Sequence, residues 1–297
     1  MNHRHCPSFC AALLIASGSS ALYAQQSPEG IMKLQQATKG TETVVTTGFE
    51  AKAAKPDDAA SKDATELKLA AGGLFAAGNS RSNAITSSVK FRARRSANQL
   101  TLALAENYAQ AASKPGEDTS VTVENVQGKT RYDRFLSGQF AVFGALSGLR
   151  DRFQGLDLRI NFDPGFAYYF VDESKQQFWS ELGYDLQYDY RRNDKVAESL
   201  ALGKPVDKAE VRHSGRLFFG YQNSLNKAVT VDTGLEYLQA LSNTENWRLN
   251  WTLGLNSAIG GNFSIATTFT LKYDHNPLSN VKNTDALTAV SLVYQLL

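Results

Sequence analysis

Few residues of this sequence have the types and spacing that catalysis needs, and His213 beside Ser214 is the most suggestive pair. A serine hydroxyl becomes a nucleophile only when a general base lies within hydrogen-bond reach. Both residues lie in a segment whose apolar and charged residues alternate, which predicts a β-strand. Because adjacent residues of a strand point to opposite faces, we expect these two side chains not to form a catalytic pair.

His275 lies between Asp274 and the dipeptide Asn276-Pro277. This composition is typical of a solvated loop, and we expect His275 not to bind a metal ion. Both cysteines, Cys6 and Cys10, lie at the amino terminus, so the rest of the chain has no thiolate to offer a metal.

Three aspartates, Asp151, Asp157 and Asp163, are candidates for acid–base or calcium chemistry. Three arginines lie among them: Arg150, Arg152 and Arg159. Calcium-binding loops place oxygen ligands at fixed spacing around a tight glycine turn, and this segment does not have that arrangement. We therefore expect a charge-paired wall and loop here. The sequence predicts no enzyme activity, no catalytic, cofactor-binding or metal-binding residues, and no cofactor.

The elements that position these residues are long strands with one apolar and one charged face. Between Phe178 and Tyr190 the even-numbered residues are apolar or aromatic apart from Ser180, and the odd-numbered ones include Glu181 and Asp185. A period of two predicts a strand. The same alternation predicts strands at 66–78, 82–95, 98–111, 119–133, 138–150, 156–171, 177–191, 209–223, 228–241, 246–259, 262–274 and 284–297. Such lengths suit tilted strands that cross a bilayer, which need about 9–11 residues.

The connections between these strands tend to alternate in length. Short connections fall around Ser96, Arg134, Asn226 and Gly260-Gly261. Long connections span 112–118, 192–208 and 274–283. Outer-membrane barrels have short turns in the periplasm and longer loops outside. We therefore predict an all-β fold, an antiparallel transmembrane β-barrel of about 12 strands over residues 66–297, preceded by a disordered segment.

An alternative fold is a secreted β-sandwich or lipocalin-like barrel, in which the apolar face points inward. In a membrane barrel the apolar face meets lipid and the polar face lines the lumen. Strand number, strand length and tyrosine-rich strand ends favour the membrane barrel. In that orientation the candidate lumen-lining residues are Arg92, Arg94, Asp157, Arg159, Glu181, Asp185, Asp189, Arg212, Arg216, Asp232, Glu236 and Arg248.

The amino terminus has the features of a cleaved signal peptide, which we assign to residues 1–24. Arg4 lies in a short basic region, an apolar stretch follows at 9–16, and Ala24 is the expected cleavage position. We expect this signal to direct the protein to the outer membrane of a Gram-negative cell. Residues 25–65 show no sustained period and are predicted to form a disordered periplasmic segment.

The charge balance narrows the choice of partners. Lys and Arg number 31 and Asp and Glu number 29, and this near balance argues against a nucleic-acid partner. No stretch approaches the ~18 apolar residues of a membrane-spanning helix. The expected partners are outer-membrane lipid, the barrel-assembly machinery during insertion, and small solutes or ions.

Several segments carry a family resemblance. They are Gly78 to Ser80, Lys129 to Phe135, Asp151 to Arg159, Gly165 to Phe170 and Glu181 to Tyr190. With these segments the chain resembles the salt-induced outer-membrane protein family of proteobacteria, a domain of unknown function, over residues 67–297. The resemblance implies an outer-membrane barrel linked to osmotic or envelope stress. It implies no reaction and no catalytic residue.

Three functional hypotheses follow. The first is a narrow solute or ion channel, or an envelope protein that responds to osmotic stress. The second is an outer-membrane anchor or interaction scaffold with a plugged lumen, which would use the 192–208 loop or the 25–65 segment. The third is a membrane-embedded hydrolase, which would need a histidine and a serine or aspartate on the same face.

Overall fold

The computed structural model describes residues 64–76, 82–111, 118–152, 155–173, 175–203, 205–276 and 283–296. Within them, the predicted fold class is confirmed: twelve antiparallel strands form one closed barrel. The predicted signal peptide at 1–24 lies outside the described residues, as does the predicted segment 25–65 except for its last two residues.

The strands have the bounds that the alternation predicts to within two residues. They are β1 (Ala64–Ala76), β2 (Ser82–Arg95), β3 (Asn98–Ala111), β4 (Ser120–Phe135), β5 (Phe140–Asp151), β6 (Leu156–Asp172), β7 (Gln176–Arg191), β8 (Ala209–Ser224), β9 (Val229–Ala240), β10 (Trp247–Gly260), β11 (Phe263–Asp274) and β12 (Thr284–Gln295). Each strand pairs with its neighbours in sequence, and β1 closes the barrel against β12 through Leu69 and Tyr294.

The two ends of the barrel differ in their connections. One end, called the short-turn end, carries the tight connections 96–97, 136–139, 173–175, 225–228 and 261–262. The opposite end, called the long-loop end, carries 112–119, 192–208 and 275–283 among others. This asymmetry agrees with the predicted alternation of connection lengths.

The 192–208 connection contains a helix that the sequence analysis did not predict, α1 (Asn193–Ala201). Asp194 lies in its first turn, and Lys195 pairs with Glu198 one turn later at 2.6 Å. Both features stabilise a short helix, by complementing its dipole and by joining neighbouring turns. No helix among the described residues is long and apolar enough to cross a membrane.

Along the strands most large apolar side chains face outward and most charged side chains face inward. On β7 the side chain of Leu182 is 65% exposed, whereas its neighbour Glu181 is 1% exposed. The same contrast repeats on other strands, with exposed Phe162 beside buried Asp163 and exposed Leu217 beside buried Arg216. The alternative fold with an apolar interior is therefore wrong, because a soluble barrel would expose the charged face instead.

Leu156 is an exception to the alternation of the two faces, because it is buried whereas Leu158, two residues later, is exposed. The alternation places it with Leu158, but a β-bulge shifts the register of β6 against β7 between these two residues. Leu156 pairs with Arg191 and is 3% exposed. A bulge adds one residue to one strand of a pair, so the residues on its two sides no longer follow the simple alternation.

Candidate functional site

The barrel interior is the candidate site, because most predicted site residues meet there. All the predicted lumen-lining residues except Asp157 lie on the inner face. They are Arg92 and Arg94 on β2, Arg159 on β6, Glu181, Asp185 and Asp189 on β7, Arg212 and Arg216 on β8, Asp232 and Glu236 on β9, and Arg248 on β10. Asp157 lies in the β6 bulge at the long-loop end.

A chain of ion pairs crosses the lumen at its centre. Glu181 accepts hydrogen bonds from Arg131 on β4 at 2.9 Å and from Arg216 on β8 at 2.8 Å. Arg216 also donates to Glu236 on β9 at 2.7 Å, and the other carboxylate oxygen of Glu236 accepts from Asn250 on β10 at 2.8 Å. We call these five residues the central network.

The central network is almost fully buried, since the four charged side chains are 1–3% exposed. Removing a charge from water costs several kcal/mol, and only well-placed partners recover that cost. Each carboxylate of this network has two donors, and Arg216 contacts two carboxylates. Arg131 belongs to β4 and Glu181 to β7, and strands β5 and β6 lie between them in the barrel wall. Their contact therefore runs through the interior rather than along the wall.

A second group of contacts, nearer the long-loop end, also spans non-adjacent strands. Asp185 accepts a hydrogen bond from Asn161 on β6 at 2.6 Å. Arg248 on β10 lies 3.7 Å from the carboxylate of Asp185 and donates to Gln187 at 3.4 Å. Strands β8 and β9 lie between β7 and β10, so Arg248 reaches over both of them.

Charged residues near the long-loop end form further pairs. Arg159 and Asp189 form a two-bond ion pair, each bond 2.5 Å long, between β6 and β7. Asp157 pairs with Arg192 and Lys208 of the long connection at 3.6 and 3.5 Å. Paired charges therefore extend from the centre of the barrel to this rim.

Glu210 and Asp232 are two further charged residues on the inner face. Glu210, on the inner face of β8, pairs with both Arg191 and Arg212. Asp232 on β9 lies over Gly254 of β10, where an added Cβ would come within 2.6 Å of the carboxylate. Gly254 thus provides the space that the Asp232 side chain occupies.

An aromatic cluster fills the lumen near the short-turn end, and the sequence analysis missed it. Its rings belong to Phe135, Tyr169, Trp179 and Phe218, with successive centroids 6.3, 6.3 and 6.0 Å apart. Phe143 belongs to the same buried cluster. Each ring lies on the inner face, because its residue number is odd or even in the same way as the inward-facing charged residues of its strand. That shared parity is the signal that identifies these aromatic residues as inward-facing.

The aromatic cluster and the charged residues are in direct contact. The guanidinium of Arg131 lies 3.9 Å from the centre of the Phe143 ring, and that of Arg94 on β2 lies 3.9 Å from the Phe135 ring. Such contacts stabilise a cation by the negative face of the ring. Gly220 leaves room for the Trp179 indole, which an added Cβ at that position would overlap.

Strand β4 supplies inner residues that the sequence analysis did not assign to the lumen. Lys129, Arg131 and Asp133 are all buried, and Arg131 is central to the cross-lumen contacts. They occupy alternate positions of the predicted strand 119–133, whose two faces the sequence analysis did not assign. Alternation within that segment would have identified them.

The other candidates for chemistry are separated by the fold. His213 is exposed on the outer face, where Tyr184 is its hydrogen-bond partner, whereas Ser214 is buried on the inner face. The predicted opposite orientation of this pair is therefore confirmed. His275 is exposed and stacks on Trp247 with ring centroids 5.1 Å apart. Among the described residues, no group of three or more His, Cys, Asp or Glu side chains is placed to hold a metal ion.

A comparison with protein families matches residues 69–296 to the family described as "Protein of unknown function, DUF481". The chain belongs to the DUF481 family. The match covers all of β2 to β12 and most of β1, and therefore nearly the whole DUF481 barrel. No curated protein matches the chain significantly.

Solved structures with a similar arrangement include two porins and one outer membrane channel. The NanC porin is 11% identical, with a TM-score of 0.45 over 77% of this chain and 97% of that one. An outer membrane channel from Pseudomonas putida F1 is 10% identical, with a TM-score of 0.45 over 82% and 98%. The KdgM porin is 10% identical, with a TM-score of 0.39 over 78% and 98%.

Proposed function

We propose that the DUF481 barrel is an outer-membrane protein whose lumen is held closed by its own side chains, and that it acts as an anchor or scaffold of the cell envelope. The apolar outer face supports a membrane location, because such a surface is stable only when lipid covers it. The observation that most strongly supports a closed lumen is the contact between Arg131 and Glu181, which joins non-adjacent strands through the interior.

Physical arguments favour a closed lumen over an open solute pore. The central network and the aromatic cluster lie one after the other along the barrel and exclude water from their side chains. A hydrated solute would have to break ion pairs whose partners would then remain buried and unpaired, at a cost of about 3–5 kcal/mol each. The long-loop end, with exposed Leu200 and Leu202 at the end of α1, is the surface we assign to scaffold contacts.

The wider role that we propose follows the family resemblance. The barrel would act in the envelope under osmotic or salt stress, with outer-membrane lipid and the barrel-assembly machinery as its partners. We propose no catalytic activity and no cofactor, since His213 and Ser214 face opposite sides of β8. We also propose no nucleic-acid partner, given the near balance of 31 basic and 29 acidic residues.

Planar-bilayer recording tests the closed lumen directly. The folded wild-type barrel will show no steady conductance step. A variant with both Arg131→Ser and Glu181→Ser removes the cross-lumen contact without changing the net charge, and it will conduct small ions. Steady open steps from the wild-type barrel would refute the closed lumen.

A narrow ion path is the second candidate, and one feature of the wall favours it. Thr86, Asn107 and Asn125 form a row of uncharged hydrogen bonds across β2, β3 and β4, at 2.6 and 2.9 Å. Small inner side chains, Ala105 and Ala109, lie beside this row. Under this alternative the wild-type barrel conducts in the same recording, and Asn107→Leu reduces the current.

The outward orientation predicts a large cost for a charge at the middle of the outer face. Leu182→Arg will lower the free energy of unfolding by roughly 2–4 kcal/mol in lipid vesicles, because arginine at the bilayer midplane is costly. Leu200→Arg is the matched control, since Leu200 on α1 is 68% exposed and Leu182 is 65% exposed. In the control the change will stay within about 0.5 kcal/mol. Equal small effects at both sites would contradict the membrane location.

A further inference from the structure

The outer face of the barrel has a notch where two strands lack side chains. Gly128 of β4 pairs directly with Gly148 of β5, and both positions face outward. The row continues to Leu104 of β3 on one side and to Ile160 of β6 on the other. Two adjacent glycines between two large apolar residues therefore leave a gap in an otherwise continuous apolar surface.

The notch is part of a groove of about 610 Å³ on the outer surface. Its side walls are apolar: Val89, Phe91, Leu102, Leu104, Leu146, Leu158 and Ile160. Thr130 and Leu146 form the row below the glycine pair, on the side toward the short-turn end. A dry apolar groove of this size suits hydrocarbon rather than a polar ligand.

A cation lies at the other end of the notch. Arg150 follows Gly148 by two residues on β5, faces outward, is exposed, and pairs in register with Val126. Its guanidinium makes no hydrogen bond or ion pair with the described residues, whereas nearby Arg152 pairs with Glu124 at 2.9 Å. Glu106 lies in the same row beyond Val126, and among the described ion pairs it is not a partner of Arg150. The guanidinium is therefore available to an anion.

We propose that this notch binds one anionic phospholipid, with an acyl chain over Gly128 and Gly148 and the phosphate on Arg150. The order along β5, from Leu146 through Gly148 to Arg150, matches the order from tail to headgroup in the leaflet at the long-loop end. Arginine presents paired donors that fit a phosphate group. The inference rests on the membrane location proposed above, but not on the closed lumen.

A second copy of the chain fits the notch less well. Soluble and membrane dimers commonly use the same patch on both partners, related by a two-fold axis. Such a contact would bring the two Arg150 side chains toward each other beside an apolar seam. Like charges near a low-dielectric surface repel, so the unpaired arginine favours a lipid phosphate over a copy of itself.

Native mass spectrometry of the detergent-folded full chain tests the proposal with dioleoyl phosphatidylglycerol as the probe. The wild-type barrel will retain one lipid molecule. Dioleoylglycerol, which has the same chains without phosphate, and glycerol 3-phosphate, which has phosphate without chains, will be retained much less. Equal retention of all three compounds would overturn the proposal.

Two pairs of variants separate the contributions of the groove and the cation. Gly148→Leu fills the notch and will reduce retention about tenfold or more, because several methylene contacts are lost. Gly144→Leu is its control, since both glycines face outward on β5 and an added Cβ meets nothing within 4 Å at either site. Arg150→Gln will reduce retention about fivefold, and Arg134→Gln at the opposite rim will not.

The remaining outcomes are also decisive. Equal retention by Gly148→Leu and Gly144→Leu would overturn the assigned groove. A dimer in the same spectra that Gly148→Leu dissociates would assign the notch to a second copy and overturn the lipid proposal. A heat-modifiable gel shift of each sample reports whether the barrel has folded. The comparison of Leu182→Arg with Leu200→Arg tests the membrane location separately, so failure of the proposed location is distinguishable from failure of the lipid site.

Discussion

Replacing Glu181 with alanine will lower the free energy of unfolding of the barrel by about 3–5 kcal/mol. The substitution removes the carboxylate that Arg131 and Arg216 share, and it leaves each buried guanidinium with one carboxylate partner, Asp133 or Glu236. The loss comes from two charge-assisted hydrogen bonds and from the attraction that holds the two buried cations on one carboxylate. Urea titration of the barrel in lipid vesicles, followed by tryptophan fluorescence, measures this change.

A matched control for Glu181 lies on α1. Glu198 also pairs with a cation, Lys195, at 2.6 Å, but its side chain is half exposed. Glu198→Ala will change the free energy of unfolding by at most about 0.5 kcal/mol, because exposed pairs of this kind contribute little. If Glu181→Ala also changes stability by less than 1 kcal/mol, the central network is hydrated and the closed lumen is not supported.

Replacing Trp179 with alanine will have a comparable effect through a different cause. The indole is 1% exposed and fills the lumen between Tyr169, Phe218 and the backbone at Gly220. Truncation of a buried tryptophan costs about 3–5 kcal/mol, because it removes buried surface and leaves a cavity. The same urea titration, read by the Tyr and Trp signals that remain, measures the loss.

Phe178 provides the control for Trp179, since it is the preceding residue on β7 and faces outward. Phe178→Ala changes the lipid-facing surface without leaving a cavity in the lumen, so its effect will be clearly smaller. Gly220→Trp combined with Trp179→Gly would move the ring to the paired strand, and partial recovery of stability is expected if ring volume is what matters. An equal decrease in the free energy of unfolding for Trp179→Ala and Phe178→Ala would show that packing of the aromatic cluster does not stabilise the barrel.

Glu181 and Trp179 belong to two groups of side chains that occupy the lumen in different ways. In the closed lumen that we propose, the central network acts through charges that require their partners, and the aromatic cluster acts through its volume. Arg131 belongs to both, since it pairs with Glu181 and covers the ring of Phe143. We therefore expect substitutions of Arg131 and Trp179 to be non-additive, because residues that share a contact network couple.

The alternation of residue types alone determined the strands, their bounds and the two faces. A period of two needs no knowledge of partners, because the side-chain direction follows from the backbone of each strand. Glu181 and Leu182 can thus be assigned to opposite faces from their own neighbours. Local rules failed where local geometry departs from a regular strand, at the Leu156 bulge and at helix α1.

Only the tertiary structure decided which inner residues meet. Arg131 and Glu181 are 50 residues apart, and their contact depends on closure of the barrel and on the register of every strand between β4 and β7. The glycine pair Gly128 and Gly148 likewise becomes a notch only because that register sets the two residues opposite each other. Strand periodicity is a property of one segment, whereas pairing between strands is a property of the closed sheet. The sequence alone therefore determined the strands and their two faces, and the tertiary structure decided which side chains contact one another.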